Sequence, residues 1–101
     1  MKRVISKEIN DFFEAILTLK NAEECEMFFG DICSIKELSD ISQRLVAAKM
    51  LVDGESYVKI TQKTGMSTAT ISRVNRSIAY GDGGYKMVFD RIGGKAEKES
   101  L

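Results

Sequence analysis

Residues 57–76 read YVKITQKTGMSTATISRVNR and decide the fold, because they predict two helices that cross over a short turn. Ile60 is the apolar residue of the first helix that is expected to be buried under the second helix. In the second helix, Ile71 and Val74 lie one turn apart on a single face. Gly65 stands in the turn, where it tolerates the positive φ that such a turn requires. The stretch therefore predicts a helix-turn-helix over residues 57–76.

The outward face of the second predicted helix, residues 68–80, carries small, polar and basic side chains. Threonine and alanine methyl groups can contact thymine methyls in the major groove, and hydroxyl groups can reach bases or phosphates. A helix that enters the groove with its N-terminus first places its long cations nearer the backbone. The predicted DNA-binding residues are Lys59, Lys63, Ser67, Thr68, Ala69, Thr70, Ser72, Arg73 and Arg76.

Charge is unevenly distributed along the 101 residues, although the formal net charge is zero. Residues 1–55 hold seven basic and eleven acidic side chains. Residues 56–81 hold four basic side chains and no acidic one. A local positive patch is what a phosphate backbone selects, so the charge distribution favours nucleic-acid binding by this segment.

Four further helices are indicated by caps and apolar periodicity, which predicts an all-α fold of about six helices. Ser6, Asn21 and the Ser34–Glu37 capping box begin the first three, and Gly54 ends the third. Gly93 and Gly94 are predicted to stop the last one. We expect one domain over residues 1–94 and a disordered polar tail over residues 95–101.

Each of these helices has an apolar stripe; the stripe of the second helix is predicted to be its buried face, and that of the third is predicted to pack against another helix. In the first helix the stripe comprises Ile9, Phe12, Phe13, Ile16 and Leu17. In the second it comprises Cys25, Phe28, Phe29 and Ile32. In the third it comprises Leu38, Ile41, Leu45, Ala48 and Val52. In the last it comprises Tyr85, Val88, Phe89 and Ile92.

The residue inventory argues against an enzyme, a metal site and a membrane protein. Histidine is absent, so no side chain has an ordinary pKa that suits a base near neutral pH. Cys25 and Cys33 are too few to hold zinc, and three glutamates beside Cys25 disfavour a thiolate. No signal peptide or membrane-length apolar run is visible, which predicts a cytoplasmic protein.

Residues 67–76 (STATISRVNR) and 80–85 (YGDGGY) resemble the YerC/YecD branch of the Trp repressor-like superfamily. Residues 37–44 and 48–51 fit the same branch, and the resemblance covers about residues 34–92. It implies a bacterial transcription regulator, a repressor in the family's pattern, that binds double-stranded DNA. It also implies an intertwined homodimer whose two recognition helices enter successive major grooves.

The resemblance bears on a tryptophan effector as well. In the Trp repressor two arginines sandwich the indole ring and a serine contacts the amino group; Arg44, Arg73 and Ser77 match those positions. Val74 stands where the repressor has glycine, and its branched side chain is expected to fill the space. Because overfilling a packed site costs about 1–3 kcal/mol, tryptophan is disfavoured. We therefore expect no cofactor, and the sequence does not identify a small-molecule effector.

Two alternative functions remain open at the level of sequence. One is a helical protein-interaction module, in which the helix pair docks a partner. The other is a DNA-binding accessory protein without its own regulatory effector. An interaction groove would expose apolar residues, whereas the predicted outward face of residues 68–80 is small, polar or basic.

Overall fold

A computed structural model describes residues 5–100, with side chains over residues 5–94. The residues described form six helices and no strand, which confirms the predicted all-α class. The helices are α1 (Lys7–Ile16), α2 (Ala22–Ile32), α3 (Ile35–Val52), α4 (Tyr57–Thr64), α5 (Thr68–Tyr80) and α6 (Gly84–Ser100). The chain divides into two compact units, Met1–Asp40 and Ile41–Leu101, and the prediction of one domain over residues 1–94 stays a prediction.

The helix starts lie where the sequence predicted them, because polar side chains accept hydrogen bonds from unpaired backbone amides. Ser6 caps α1 and Asn21 caps α2 in this way. The capping box is complete: the Ser34 amide donates to Glu37 Oε1 at 2.9 Å, and the Glu37 amide donates to Ser34 Oγ at 3.1 Å. Hydrogen bonding of the Glu37 carboxyl group, first to the Ser34 backbone amide and then to the Ser34 side chain, lowers the pKa of Glu37 below its ordinary value.

Four phenylalanines are the main packing contacts within the first unit. Phe12 of α1 lies 6.1 Å from Phe28 of α2 between ring centroids, and Phe28 lies 5.5 Å from Phe29. Neither helix contains a fully buried residue. The predicted buried face of α2 is therefore wrong in part: Cys25 and Ile32 are exposed, because this pair of helices is too small to enclose them.

The second unit has a small core where α3, α4 and α5 each supply a fully buried residue. Ala47, Ile60 and Ile71 form its centre. On α3 the core residues are Ala47 and Ala48, of which only Ala48 belongs to the predicted apolar stripe. The other four residues of that stripe are exposed, namely Leu38, Ile41, Leu45 and Val52.

The end of α6 differs from the prediction. The helix continues through Gly93 and Gly94 to Ser100, so the predicted stop is wrong. Glycine costs a helix interior about 1 kcal/mol relative to alanine, which weakens a helix without forbidding it. The predicted disorder of residues 95–101 stays a prediction, since the side chains of residues 95–100 and all of residue 101 lie outside the described residues.

Candidate nucleic-acid interface

The turn between α4 and α5 is held by backbone and side-chain hydrogen bonds. Gly65 has a φ of 74°, the left-handed conformation predicted for it, and its amide donates to the Thr61 carbonyl oxygen at 2.8 Å. Thr64 Oγ1 donates to the Ile60 carbonyl oxygen at 2.7 Å and accepts from the Met66 amide at 3.1 Å. The sequence analysis did not predict this hydroxyl bridge across the turn.

The inner face of α5 is packed as predicted. Ile71 is fully buried and Val74 is 5% exposed. Met66 packs against the core from the turn, and Ile78 is half-buried one turn beyond Val74. This packing fixes the rotation of α5 about its own axis, so the opposite side of the helix faces solvent.

The outer face of α5 is exposed at five of the six predicted positions. Those five are Thr68, Ala69, Ser72, Arg73 and Arg76. Thr70 differs, because it is half-buried and its Oγ1 lies 3.1 Å from the Oγ of the cap residue Ser67. Thr70 is the third residue of α5, and a side chain there lies beside the cap rather than facing outward.

The cations at the interface differ in their partners. Lys59 Nζ lies 3.4 Å from Glu55 Oε2, an exposed pair one helical turn apart. Lys63, Arg73 and Arg76 form no ion pair with another residue that the structure describes. The positive charge on these three side chains is therefore available to an anionic partner.

The C-terminal end of α5 carries a residue that sequence reasoning overlooked. Tyr80 is 86% exposed and ends the helix. It follows Arg76 by four residues and Arg73 by seven, a spacing that places all three side chains along one side of a helix. That periodicity was the signal that could have found Tyr80.

The residues matched to an effector site lie on two helices, Arg44 on α3 and Arg73 and Ser77 on α5. Arg44 is exposed on α3, and Ser77 Oγ donates within α5 to the Arg73 carbonyl oxygen at 3.3 Å. Val74 directly follows Arg73 in α5, and its side chain is buried in the core, which is the inward position that the sequence predicted. Within the residues that the structure describes, no group of three His, Cys, Asp or Glu residues could hold a metal ion.

No helix among the described residues is both long and apolar enough to span a membrane. An inner face that packs into the core, a capped α5 and an exposed basic outer face together define an all-α protein of the helix-turn-helix class. Within that class, the chain belongs to the Trp repressor protein family, whose model matches residues 7–93. This confirms the resemblance.

Three relatives show how closely the chain follows this family. The chain is 50% identical over 86 residues to the uncharacterized protein YerC of Bacillus subtilis strain 168, covering 85% of this chain and 83% of YerC. A crystal structure of a TrpR-like protein from Eubacterium eligens has 50% identity and a TM-score of 0.84, covering 87% of this chain and 91% of that one. A Staphylococcus aureus protein provisionally called a Trp repressor has 47% identity and a TM-score of 0.83, covering 88% and 89%.

Proposed function

We propose that this protein is a sequence-specific DNA-binding transcription regulator, a repressor, that reads the major groove with α5. The observation that carries the proposal is the pair Arg73 and Arg76, exposed and without an ion pair among the described residues. They lie on α5, whose opposite face packs into the core through Ile71 and Val74. Arginine on such a surface binds phosphate or guanine edges.

The distribution of side-chain size along α5 supports entry by its N-terminal end. Thr68, Ala69 and Ser72 are short and exposed, so the backbone of α5 can approach the base edges closely. Arg73 and Arg76 follow, with the length to reach phosphates or more distant bases. Lys63 on α4 adds a cation for the neighbouring phosphate backbone.

We further propose that the protein acts as a homodimer, as the family pattern implies. Each unit leaves large apolar side chains exposed: Leu17 and Met27 in the first, Leu45 and Ile92 in the second. In the second unit, Leu45, Phe89 and Ile92 line an apolar cleft of about 470 Å³. A second copy would cover such surfaces, and light scattering should give twice the mass of one chain; a monomer mass at micromolar concentration would contradict the dimer.

The DNA-binding proposal is tested by fluorescence anisotropy of a labelled mixed-sequence duplex at several salt concentrations. The slope of log K against log salt is about −0.9 for each phosphate neutralised, so a dimer contacting about eight phosphates gives roughly −7. The double variant Arg73→Ala/Arg76→Ala should lose most of the binding and flatten the slope.

The matched control is Lys86→Ala/Arg91→Ala, which removes the same charge from two exposed positions on α6. It should bind like the wild type, which separates a local interface from a general effect of net charge. Absence of binding by the wild type at low salt would contradict the proposal and favour a protein-interaction module.

A further inference from the structure

We infer that Tyr80 is a further DNA contact, whose hydroxyl donates a hydrogen bond to a backbone phosphate at the rim of the major groove. This inference rests on the proposed function, because it assumes that α5 enters the groove. It adds a neutral phosphate contact to the cationic ones, at a position that the sequence alone did not single out.

The position of Tyr80 along α5 determines which part of the DNA it can reach. Thr68 and Tyr80 are the first and last residues of this 13-residue helix. At 1.5 Å per residue their Cα atoms are about 18 Å apart along the axis. The major groove is only about 12 Å wide, so a helix that enters N-terminus first brings its last turn to the phosphate rim.

The rotation of Tyr80 about the helix axis places it with the exposed cations. Ile71, Val74 and Ile78 define the inner side of α5. Tyr80 lies about 160° around the helix from Ile78, counting two steps of 100°, which is the outer side. Its side chain therefore continues the side on which Arg73 and Arg76 stand.

Tyr80 also differs from the other two tyrosines in its exposure, since 86% of its surface is open to solvent. Tyr57 packs against the core of the second unit, and Tyr85 stacks on Phe89 with ring centroids 6.1 Å apart. The chain turns away directly after Tyr80, because Gly81 caps α5 and its amide donates to the Ser77 carbonyl oxygen at 2.9 Å. The phenol of Tyr80 is left exposed.

The chemistry of the phenol fits a phosphate better than a base. Its O–H donates one hydrogen bond. Tyrosine is among the side chains that contact phosphate oxygens, and such contacts fix the register of a protein without reading sequence. Loss of the hydroxyl should therefore weaken binding to every duplex by the same factor.

The test compares Tyr80→Phe with the wild type in the salt-dependent anisotropy assay, on the best duplex and on an unrelated one. We expect an affinity loss of about 10- to 100-fold on both, because the dimer loses one net hydrogen bond, worth about 3- to 10-fold, from each of its two subunits. The salt slope should not change, because no charge is removed, whereas Arg76→Ala should reduce its magnitude by about 1.8, which is about 0.9 for each of the two subunits. Tyr85→Phe is the matched control and should bind like the wild type.

Each other outcome has a defined meaning. If the wild type binds with a steep slope and Tyr80→Phe binds equally well, the Tyr80 contact is wrong and the proposed function stands. A loss confined to one sequence would overturn the phosphate contact in favour of base reading. A changed mass of Tyr80→Phe in light scattering would overturn it in favour of a subunit contact. No binding by the wild type would overturn the proposed function, and the Tyr80 contact with it.

Discussion

The ammonium group of Lys59 lies 3.4 Å from the carboxylate of Glu55, one helical turn earlier in the chain. Glu55 directly precedes the acid-free segment of residues 56–81, so this contact places a negative charge at the edge of the proposed interface. An exposed ion pair of this kind contributes only about 0–1 kcal/mol to stability. Its larger consequence is a weaker positive potential where DNA is proposed to bind.

We predict that Glu55→Gln raises DNA affinity about two- to fivefold at low salt, because Lys59 becomes free to contact phosphate. Anisotropy titrations should show the gain shrinking as salt rises. Asp40→Asn is the matched control, since Asp40 accepts from Lys36 at 2.9 Å in the same spacing but outside the interface. Equal gains from both substitutions would indicate a net-charge effect and contradict the prediction.

The connection between α5 and α6 yields a prediction for stability. A Cβ atom at Gly81 would collide with the carbonyl oxygen of Ser77, a backbone atom that cannot move without disturbing the last turn of α5. Gly81→Ala should therefore lower the free energy of unfolding by about 1–3 kcal/mol in urea denaturation. Gly84→Ala is the control, because a Cβ atom added at Gly84 would have nothing within 4 Å. This substitution should leave the free energy of unfolding unchanged or raise it slightly.

The features that sequence predicted correctly are local ones. A cap such as Ser6 needs only a hydroxyl three residues before an amide that lacks a partner, and Ile9 provides that amide at 3.2 Å. The left-handed turn at Gly65 and the one-turn spacing of Ile71 and Val74 are equally local. The helix-turn-helix could therefore be located from residues 57–76 alone.

The features that sequence missed depend on which neighbours a helix acquires. On α3 the bulky residue Leu45 belongs to the predicted apolar seam, yet the core of the second unit uses Ala47, two residues further along the chain. Thr70 was assigned outward by periodicity, yet the cap Ser67 engages its hydroxyl. Periodicity gives the apolar stripes of a helix, but the packing partner decides which stripe is buried within one chain.

The capping box of α3 predicts a pH dependence of stability. The pKa of Glu37 is lowered by the hydrogen bond from the Ser34 amide, so its ionised form stabilises the folded state. This contribution is present above the ordinary pKa of the carboxyl group and is lost as pH falls through the lowered folded value. In urea denaturation, the advantage of the wild type over Glu37→Gln should shrink between about pH 6 and pH 3.

A control variant separates the effect of the Glu37 capping box from the general effect of a negative charge near a helix N-terminus. Glu8 lies in the first turn of α1, where Glu8→Gln removes the same charge near a helix N-terminus without breaking a capping box. Its difference from the wild type should vary less with pH than that of Glu37→Gln. A constant difference between the wild type and Glu37→Gln across this range would show that the lowered pKa of Glu37 does not contribute to folding.

The burial of Val74 leads to a prediction about tryptophan as an effector. Val74 is 5% exposed. The hydroxyl group of Ser77 already donates its hydrogen bond to the Arg73 carbonyl oxygen. An indole at this place would have to displace a packed isopropyl group, at a cost of about 1–3 kcal/mol. Isothermal titration calorimetry of the wild type with tryptophan should therefore show no saturable heat. The comparison is Val74→Gly, which restores the space for the indole ring. Circular dichroism should first confirm that this variant is folded. Saturable micromolar binding by the wild type would contradict the steric argument, because it would mean that the ligand is held without the space beside Arg73.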